Sequence, residues 1–504
     1  MTQPDSPLRF AARRFAGKIA LFDDERSWTF AELDEIVDRI AGGLAARFPV
    51  GARCALLMAN RAEYVMAQLA LERAALVRVP VNTRFTPAEV GRIVRDCEAA
   101  LLLCDQSTAA LADAALADSS RPPARIVIGD GEWTQLKRTA PIATDRSGDN
   151  LDLICSINYT SGSSGEPKGV VLTFRNWRAV YKNMLIDRRI GDDDVVAHIG
   201  PLTHAAGTYV TPCLLRGATN VIVPKGRIEN LFIEIERHRV TGFTCVPTVL
   251  TRIIHHPDLR VHDLSSLRWI GYGAEPIPHN TLARAIEHFG PILTQNFGLT
   301  EAMMTCALLG PAEHIRADGT LRTGCIGRAY SFVDIVLRAA DGTPVAPGDV
   351  GEITIRAEHV MREYWRKPTE TAAALRDGWL WTGDLARLDA DGFYYLSGRS
   401  KDMIISGGFN IYPQELERFI GRHPDVEECA VVGMEDAEFG EAAVAFVVLR
   451  PGATLGEAAL RDYCRPELGI KTPRMWHIFD ALPKTPNGKI DKRGLRAMLA
   501  EPVP

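Results

Sequence analysis

The sequence predicts an α/β protein. It has a large N-terminal domain of two βαβ-layered subdomains with a small β-rich subdomain, followed by a small α+β C-terminal domain. Three observations predict this. Short β-rich runs alternate with helical stretches through the first part of the chain, and the texture changes to turn-separated strands between 325 and 400. A charged connector, Arg399-Ser400-Lys401-Asp402, then precedes a compact segment that runs to the end.

Residues 29–47, TFAELDEIVDRIAGGLAAR, place apolar side chains at helical spacing behind Thr29, a residue suited to the capping position. After it come CALLMA at 54–59, a helix over 63–75, LVRVPVN at 76–82, a helix near 87–97 and AALLLCD at 99–105, the alternation of a parallel sheet flanked by helices. A second round opens after 190 with VVAHIG, NVIVP, a helix near 229–239, GFTCVP and LRWIGYG. Between 325 and 400, VDIVLRAADGTPV, GEITIRA and FYYLSGR are punctuated by Asp341-Gly342, Asp377-Gly378 and Asp391-Gly392, dipeptides that suit tight turns. The main boundary falls near residue 400, giving units 1–400 and 401–504. No internal repeat or low-complexity segment interrupts either.

With 504 residues, 46% hydrophobic and 24% charged, the chain is long enough for several cores. A net charge of −5 leaves no basic surplus to neutralise a phosphate backbone, which disfavours nucleic acid as a partner. Ten scattered cysteines with no CxxC pair fit reduced, buried thiols rather than a disulfide frame or zinc site. His255-His256 lacks HExxH spacing and its side chains diverge, so it makes a poor metal site. No apolar run reaches eighteen residues, the N-terminus does not look like a signal peptide, and the tail EPVP carries no targeting address. A cytoplasmic protein without a membrane span is expected. The sequence carries no signal for an oligomeric state.

The strongest local chemistry is YTSGSSGEPKG at 159–169, behind the apolar run LDLICSIN. Gly162 and Gly165 let the backbone turn and present N–H groups to an anion, Thr160, Ser161, Ser163 and Ser164 add hydroxyl donors, and Lys168 closes the segment. The loop is not a Walker motif, because the Gly-Lys-Ser/Thr ending is missing. By itself it supports phosphate binding and no more; its plain alternative is a flexible surface loop.

This loop resembles the signature of the adenylate-forming superfamily of acyl-CoA synthetases, adenylation domains and luciferases. Six more motifs follow in that family's order: PLTHAAG at 201–207, GYGAEP at 271–276, NFGLTEA at 296–302, WTGD at 381–384, GRSKDMIISGG at 398–408 and PKTPNGK at 483–489. The chain is most similar to the acyl-CoA ligases. The resemblance implies activation of a small carboxylic acid by ATP and magnesium as an acyl-adenylate with release of pyrophosphate. Transfer of the acyl group to coenzyme A then releases AMP, and a small C-terminal domain hinged at Asp402 moves between the two steps.

It also implies residue roles. Thr160, Ser161, Gly162, Ser163, Ser164, Gly165, Lys168, Gly273, Ala274, Glu275, Asn296, Phe297, Gly298, Thr300, Asp384, Arg399 and Lys489 fall in ATP-binding segments, with Phe297 where the family commonly has Tyr. Glu301 is the magnesium-side carboxylate and Thr300 donates to phosphate; without the motif, Thr-Glu reads as a helix-start pair. Asp384 faces the ribose diol, and Arg399 the ribose and phosphate. Lys489 is the mobile cation between carboxylate and α-phosphate, and its acetylation is an expected off-switch. His204 stands at the acyl-pocket entrance beside the thiol tunnel, and Gly407, Gly408 and Phe409 flank the coenzyme A path. The acyl pocket falls at Asn183, His204, Ala205, Ala206, Tyr272, Gly298, Met303 and Met304, with Tyr272 expected to shorten it. A compact aromatic or short-to-medium-chain monocarboxylate is the expected acid. The sequence GGFN resembles malonyl-CoA synthetases, but no arginine at these positions pairs with a second carboxylate. Loading of an acyl carrier protein is the alternative to coenzyme A. An amino-acid substrate is disfavoured, because PLTHAAG lacks the Asp that holds an amine.

Overall fold

The apolar runs form strands distributed over three sheets in the computed structural model, which describes residues 6–147, 150–160, 167–406, 409–436, 439–485 and 490–500. In the first sheet, of seven strands, Arg53–Leu57 lies between Val77–Pro80 and Leu101–Cys104, all parallel, with Ala124–Val127 outside. Helices cover these strands, so both faces are buried and the sequence reads as continuous apolar runs rather than alternation. On the other side Val77–Pro80 meets Ile154–Thr160 at Arg78 and Ser156. That strand returns antiparallel as Lys168–Thr173, and the short strand Glu363–Tyr364, remote in sequence, pairs with it.

The second sheet has fourteen strands. Its parallel centre is Thr219–Ile222, Val195–His198, Gly242–Cys245, Trp269–Gly273 and Leu293–Leu299. Two strands from the chain start, Ile19–Asp23 and Arg26–Thr29, extend it beyond Thr219–Ile222. At the opposite end Leu293–Leu299 turns into Ala302–Leu309, and the strands of the 325–400 region continue the same path through Ala307 opposite Ala329. Asp377 and Gly378, at φ 50° and 78°, make the two-residue turn in which Arg376 faces Trp379.

Helix Phe30–Arg47 starts at a reciprocal box in which Thr29 and Glu32 each bond the other's backbone N–H. Its buried face carries Phe30, Leu33, Val37, Ile40, Ala41 and Leu44. The architecture is a large N-terminal sheet domain and a smaller C-terminal domain. The latter's five-stranded sheet is built on the long hairpin Val426–Asp436/Gly440–Leu449, with helices Pro413–Ile420, Glu457–Leu468 and Lys492–Ala500. Asn280 Nδ2 of the large domain donates to the Gly421 carbonyl at 3.2 Å. All ten cysteines are free thiols, and all but the half-buried Cys245 and Cys429 are buried. Among the described residues no helix is long and apolar enough to cross a membrane.

Candidate active site

The antiparallel pair Ile154–Thr160/Lys168–Thr173 sets the two ends of the Gly/Ser loop, with Thr160 opposite Lys168. Ser161, Gly162, Ser163, Ser164 and Gly165 lie outside the described residues. Lys168 Nζ sits 5.0 Å from the centre of the Tyr364 ring, cation over aromatic face. Tyr364 arrives there because Glu363–Tyr364 adds an edge to Lys168–Thr173, with Trp365 N–H donating to the Gly169 carbonyl at 2.7 Å.

The same tyrosine reaches Glu301. Its hydroxyl donates to Glu301 Oε1 at 2.7 Å, and Met361 N–H donates to the Glu301 carbonyl at 2.7 Å. Burial and the Glu301 charge raise the Tyr364 phenol above its ordinary value, so it stays a donor. Thr300 and Glu301 are the two turn residues of a hairpin, Leu299 opposite Ala302, and no helix begins there. Next to the turn, Met304 adopts φ 59° and Gly298 lies against it; a Cβ on Gly298 would come 2.4 Å from Met304 Cα. Only glycine fits that position.

The segment 357–365 that carries Tyr364 is anchored by Asn176. Asn176 completes a capping box with Thr173 on helix Phe174–Asp187, and its Nδ2 donates to the carbonyls of Glu358 at 2.7 Å and Val360 at 2.9 Å. One asparagine therefore ties the helix behind the loop to the support of Glu301.

Asp384 and Arg399 face each other across the antiparallel strands Trp379–Leu388 and Tyr394–Arg399, and Arg399 Nε donates to Asp384 Oδ1 at 2.9 Å. Asp384 is 9% exposed, while the Arg399 side chain is 48% exposed, so the pair has one fixed and one reaching member. The Asp384 charge, with smaller contributions from Asp402 and Glu301, raises the Arg399 guanidinium. Asp402 Oδ1 accepts from Arg496 Nη2 at 2.8 Å, joining the connector to helix Lys492–Ala500.

The other expected positions divide. Gly273 packs so closely that a Cβ would meet the Asn296 carbonyl at 2.2 Å, and Ala274 adopts φ 69°. Glu275 Oε1 accepts from Thr248 N–H (3.0 Å) and Oγ1 (2.8 Å), at the start of helix Pro247–Ile254. Phe297 is buried in the core that Met303, Met304 and Asn183's helix also line. Asn183 Nδ2 donates to Thr305 Oγ1 at 3.1 Å. His204 precedes helix Ala205–Arg216 and is exposed with Ala205, its Nδ1 2.7 Å from Thr203 Oγ1, while Ala206 is buried. Phe409 is exposed and pairs with Ser406, while Gly407, Gly408 and Lys489 lie outside the described residues.

Tyr272 stands apart from the other acyl-pocket positions. It packs with Phe243, Ile270 and Ile277 in a different core, its hydroxyl 3.0 Å from His314 Nε2. Alternation along Trp269–Gly273 explains this: Ile270 and Tyr272 point one way, Trp269, Gly271 and Gly273 the other, with Trp269 and Gly271 against Tyr209. Tyr364 and Asn176 are site-proximal residues that sequence reasoning missed. Each is placed by a partner far along the chain, and no local spacing marks it.

The Lys168 end of the Gly/Ser loop, a carboxylate held by a phenol and an acid–arginine pair therefore border one region. The sequence profile of AMP-binding enzymes matches residues 8–365, and that of the AMP-binding enzyme C-terminal domain matches residues 415–489. The chain belongs to the AMP-binding enzyme family. It is 36% identical over 478 residues to a feruloyl-CoA synthase of Amycolatopsis sp., covering 93% of each chain. It is 34% identical to an indoleacetate–CoA ligase of Aromatoleum aromaticum over 96% of each. Among solved structures, amide bond synthetase McbA from Marinactinospora thermotolerans superposes with a TM-score of 0.89 at 30% identity, covering 98% of this chain and 100% of that one.

Proposed function

We propose that this chain is an ATP-dependent carboxylate–CoA ligase of the cytoplasm, forming an acyl-adenylate and pyrophosphate, then an acyl-CoA thioester and AMP. It is carried by one observation: Tyr364 holds Glu301 Oε1 by its hydroxyl and Lys168 against its ring, bringing the end of the phosphate loop and a lone carboxylate together.

Glu301 fits magnesium. It is a hard oxygen donor whose second carboxylate oxygen carries no hydrogen bond among the described residues, and the bound ion would neutralise charge on the triphosphate. Asp384 accepts from the ribose hydroxyls and Arg399 meets ribose and phosphate, and the bond between them supports this by letting each orient the other. Lys489 supplies positive charge where the acid's carboxylate meets the α-phosphorus. The division at 400/401 lets residues 401–504 turn about Asp402 after adenylation, withdrawing Lys489 and opening the thiol path past His204, Gly407, Gly408 and Phe409. The incoming thiolate then attacks the acyl carbonyl, the acyl–phosphate bond breaks and AMP leaves with the electron pair. Acetylation of Lys489 removes the charge that adenylation needs; mass spectrometry showing full acetylation with unchanged activity overturns that point.

The acid is an aromatic or short-to-medium-chain carboxylate, in keeping with the feruloyl and indoleacetate relatives. AMP formation measured with benzoates, cinnamates, straight-chain acids and dicarboxylates, each with coenzyme A or an acyl carrier protein, tests the proposal. Coenzyme A-dependent AMP release is expected. Release with carrier protein alone overturns the acceptor, and no pyrophosphate with any acid overturns the activation chemistry.

A further inference from the structure

A chain of polar side chains runs through the apolar core that borders Phe297, Met303 and Met304. The Tyr330 hydroxyl donates to Asn296 Oδ1 at 2.7 Å, Asn296 Nδ2 donates to the Tyr209 hydroxyl at 3.4 Å, and that hydroxyl lies against the Arg188 guanidinium. Arg188, just after helix Phe174–Asp187, has its Cζ 5.5 Å from the Tyr209 ring centre and 4.9 Å from that of Trp269. The two rings are themselves stacked, 5.8 Å apart at 18°.

The chain is rich in donors and short of acceptors. Tyr330 spends its proton on Asn296. The Tyr209 oxygen accepts from Asn296, and its own proton meets no acceptor among the described residues. Arg188 Nη1 is shielded from water without a partner, and no carboxylate lies within ion-pair distance of the guanidinium among the described residues. A buried unmatched donor is costly, and more so when charged. An oxygen acceptor is the piece that balances the cluster.

Gly271 connects this cluster to the reacting end. A Cβ there would come 3.3 Å from Arg188 Nη2 and 3.4 Å from the Tyr209 oxygen, so bare backbone lets both groups reach the strand. Gly273, on the same face and at the start of the segment assigned to ATP, is two residues further, roughly 7 Å at the usual strand rise. One aromatic ring with its substituent spans that separation.

Resting on the ligase reading above, we infer that the acid carries a second oxygen acceptor, phenolic or carboxylate, at the end remote from its reacting carboxyl, and that Arg188 and Tyr209 select for it. Arg188 is the arginine that the acyl-pocket positions read from the motifs did not contain. Its aromatic flanks accept a planar ring, and an acid ending in methyl leaves both donors buried and unmatched.

Acid-dependent pyrophosphate release with 4-hydroxycinnamate, 4-carboxycinnamate and 4-methylcinnamate, and with the matching benzoates, tests this. The wild type is expected to favour the oxygen-bearing acids over the methyl acid by about tenfold or more in kcat/KM. Whichever of hydroxyl and carboxylate ranks higher identifies the oxygen. Arg188→Met is expected to bring the ratio to within about threefold while leaving the KM for ATP unchanged. Should that variant fail to fold in a thermal melt, Tyr209→Phe, which removes only the hydroxyl, carries the test with a smaller loss of preference. Equal or better use of the methyl acid by the wild type overturns the inference while leaving the ligase reading intact, as does an undiminished preference in the folded variants. Absence of pyrophosphate with every acid removes both.

Discussion

Glu301 and Asp402 are both carboxylates of the proposed machinery with a single side-chain hydrogen-bond partner each among the described residues, and they are held in opposite ways. Glu301 sits in a two-residue hairpin turn, fixed through its backbone by Met361 and through its side chain by Tyr364, whose own segment Asn176 anchors. Asp402 lies in the short turn Ser400–Asp402 and meets Arg496, from the other end of the small domain, in one ion pair with that arginine side chain 39% exposed. Water replaces such a pair at little cost, about 0–1 kcal/mol. A phenol and a backbone N–H within the sheet framework hold Glu301, and a half-exposed ion pair holds Asp402.

The largest expected effect breaks the comparison on the Asp402 side. Lys489→Ala should lower adenylation by about a hundredfold or more, while thioester formation from supplied acyl-adenylate stays near wild type; separate assays of the two half-reactions check it, and equal loss in both contradicts the assignment. On the fixed side, Tyr364→Phe frees Glu301 and should weaken magnesium–ATP binding by about tenfold with the KM for the acid unchanged, read by calorimetric titration against magnesium as well as by rate.

A third carboxyl sharpens the contrast because one of its oxygens has no hydrogen-bond partner among the described residues. Glu72 is buried, its Oε1 has no partner, and burial pushes its pKa up to about 7, with Asp145 adding to the rise and Arg78 opposing it. Its folded value lies above its ordinary 4.5, so the folded protein keeps the proton longer. Stability should therefore fall as pH rises from 4.5 toward 7 and level off above, by up to about 3 kcal/mol from this group. Glu72→Gln should flatten that slope in denaturant titrations across the window. The smallest effect belongs to Arg496→Ala, which should leave stability within about 1 kcal/mol and change only the thioester half-reaction, by a few-fold.

Much of the fold was legible because buried parallel strands read as apolar runs and Thr29 with Glu32 marks a helix start. The hairpin Ile19–Asp23/Arg26–Thr29 was not, since short strands acquire their meaning from Thr219–Ile222, some two hundred residues away. At the site, the strand parity that turns Tyr272 away was readable in WIGYG and was overlooked. Thr300-Glu301 looks like a helix start because hairpin turns usually carry glycine or asparagine, which this one lacks. Arg188, within IDRRIGDDD, reads as part of a surface charge run; Tyr209 and Trp269, brought from elsewhere, make it a half-buried cation with one nitrogen shielded from water.

The ten buried or half-buried thiols have a consequence for an enzyme that makes a mixed anhydride. An acyl-adenylate acylates thiolates readily, and the thiolate, not the thiol, is the nucleophile. Burial lifts Cys104 and Cys325 to about 11 and Cys97, Cys245 and Cys464 to about 12, and raises the other five as well. At neutral pH these thiols stay almost wholly protonated, so they compete poorly with the acceptor thiol for the intermediate.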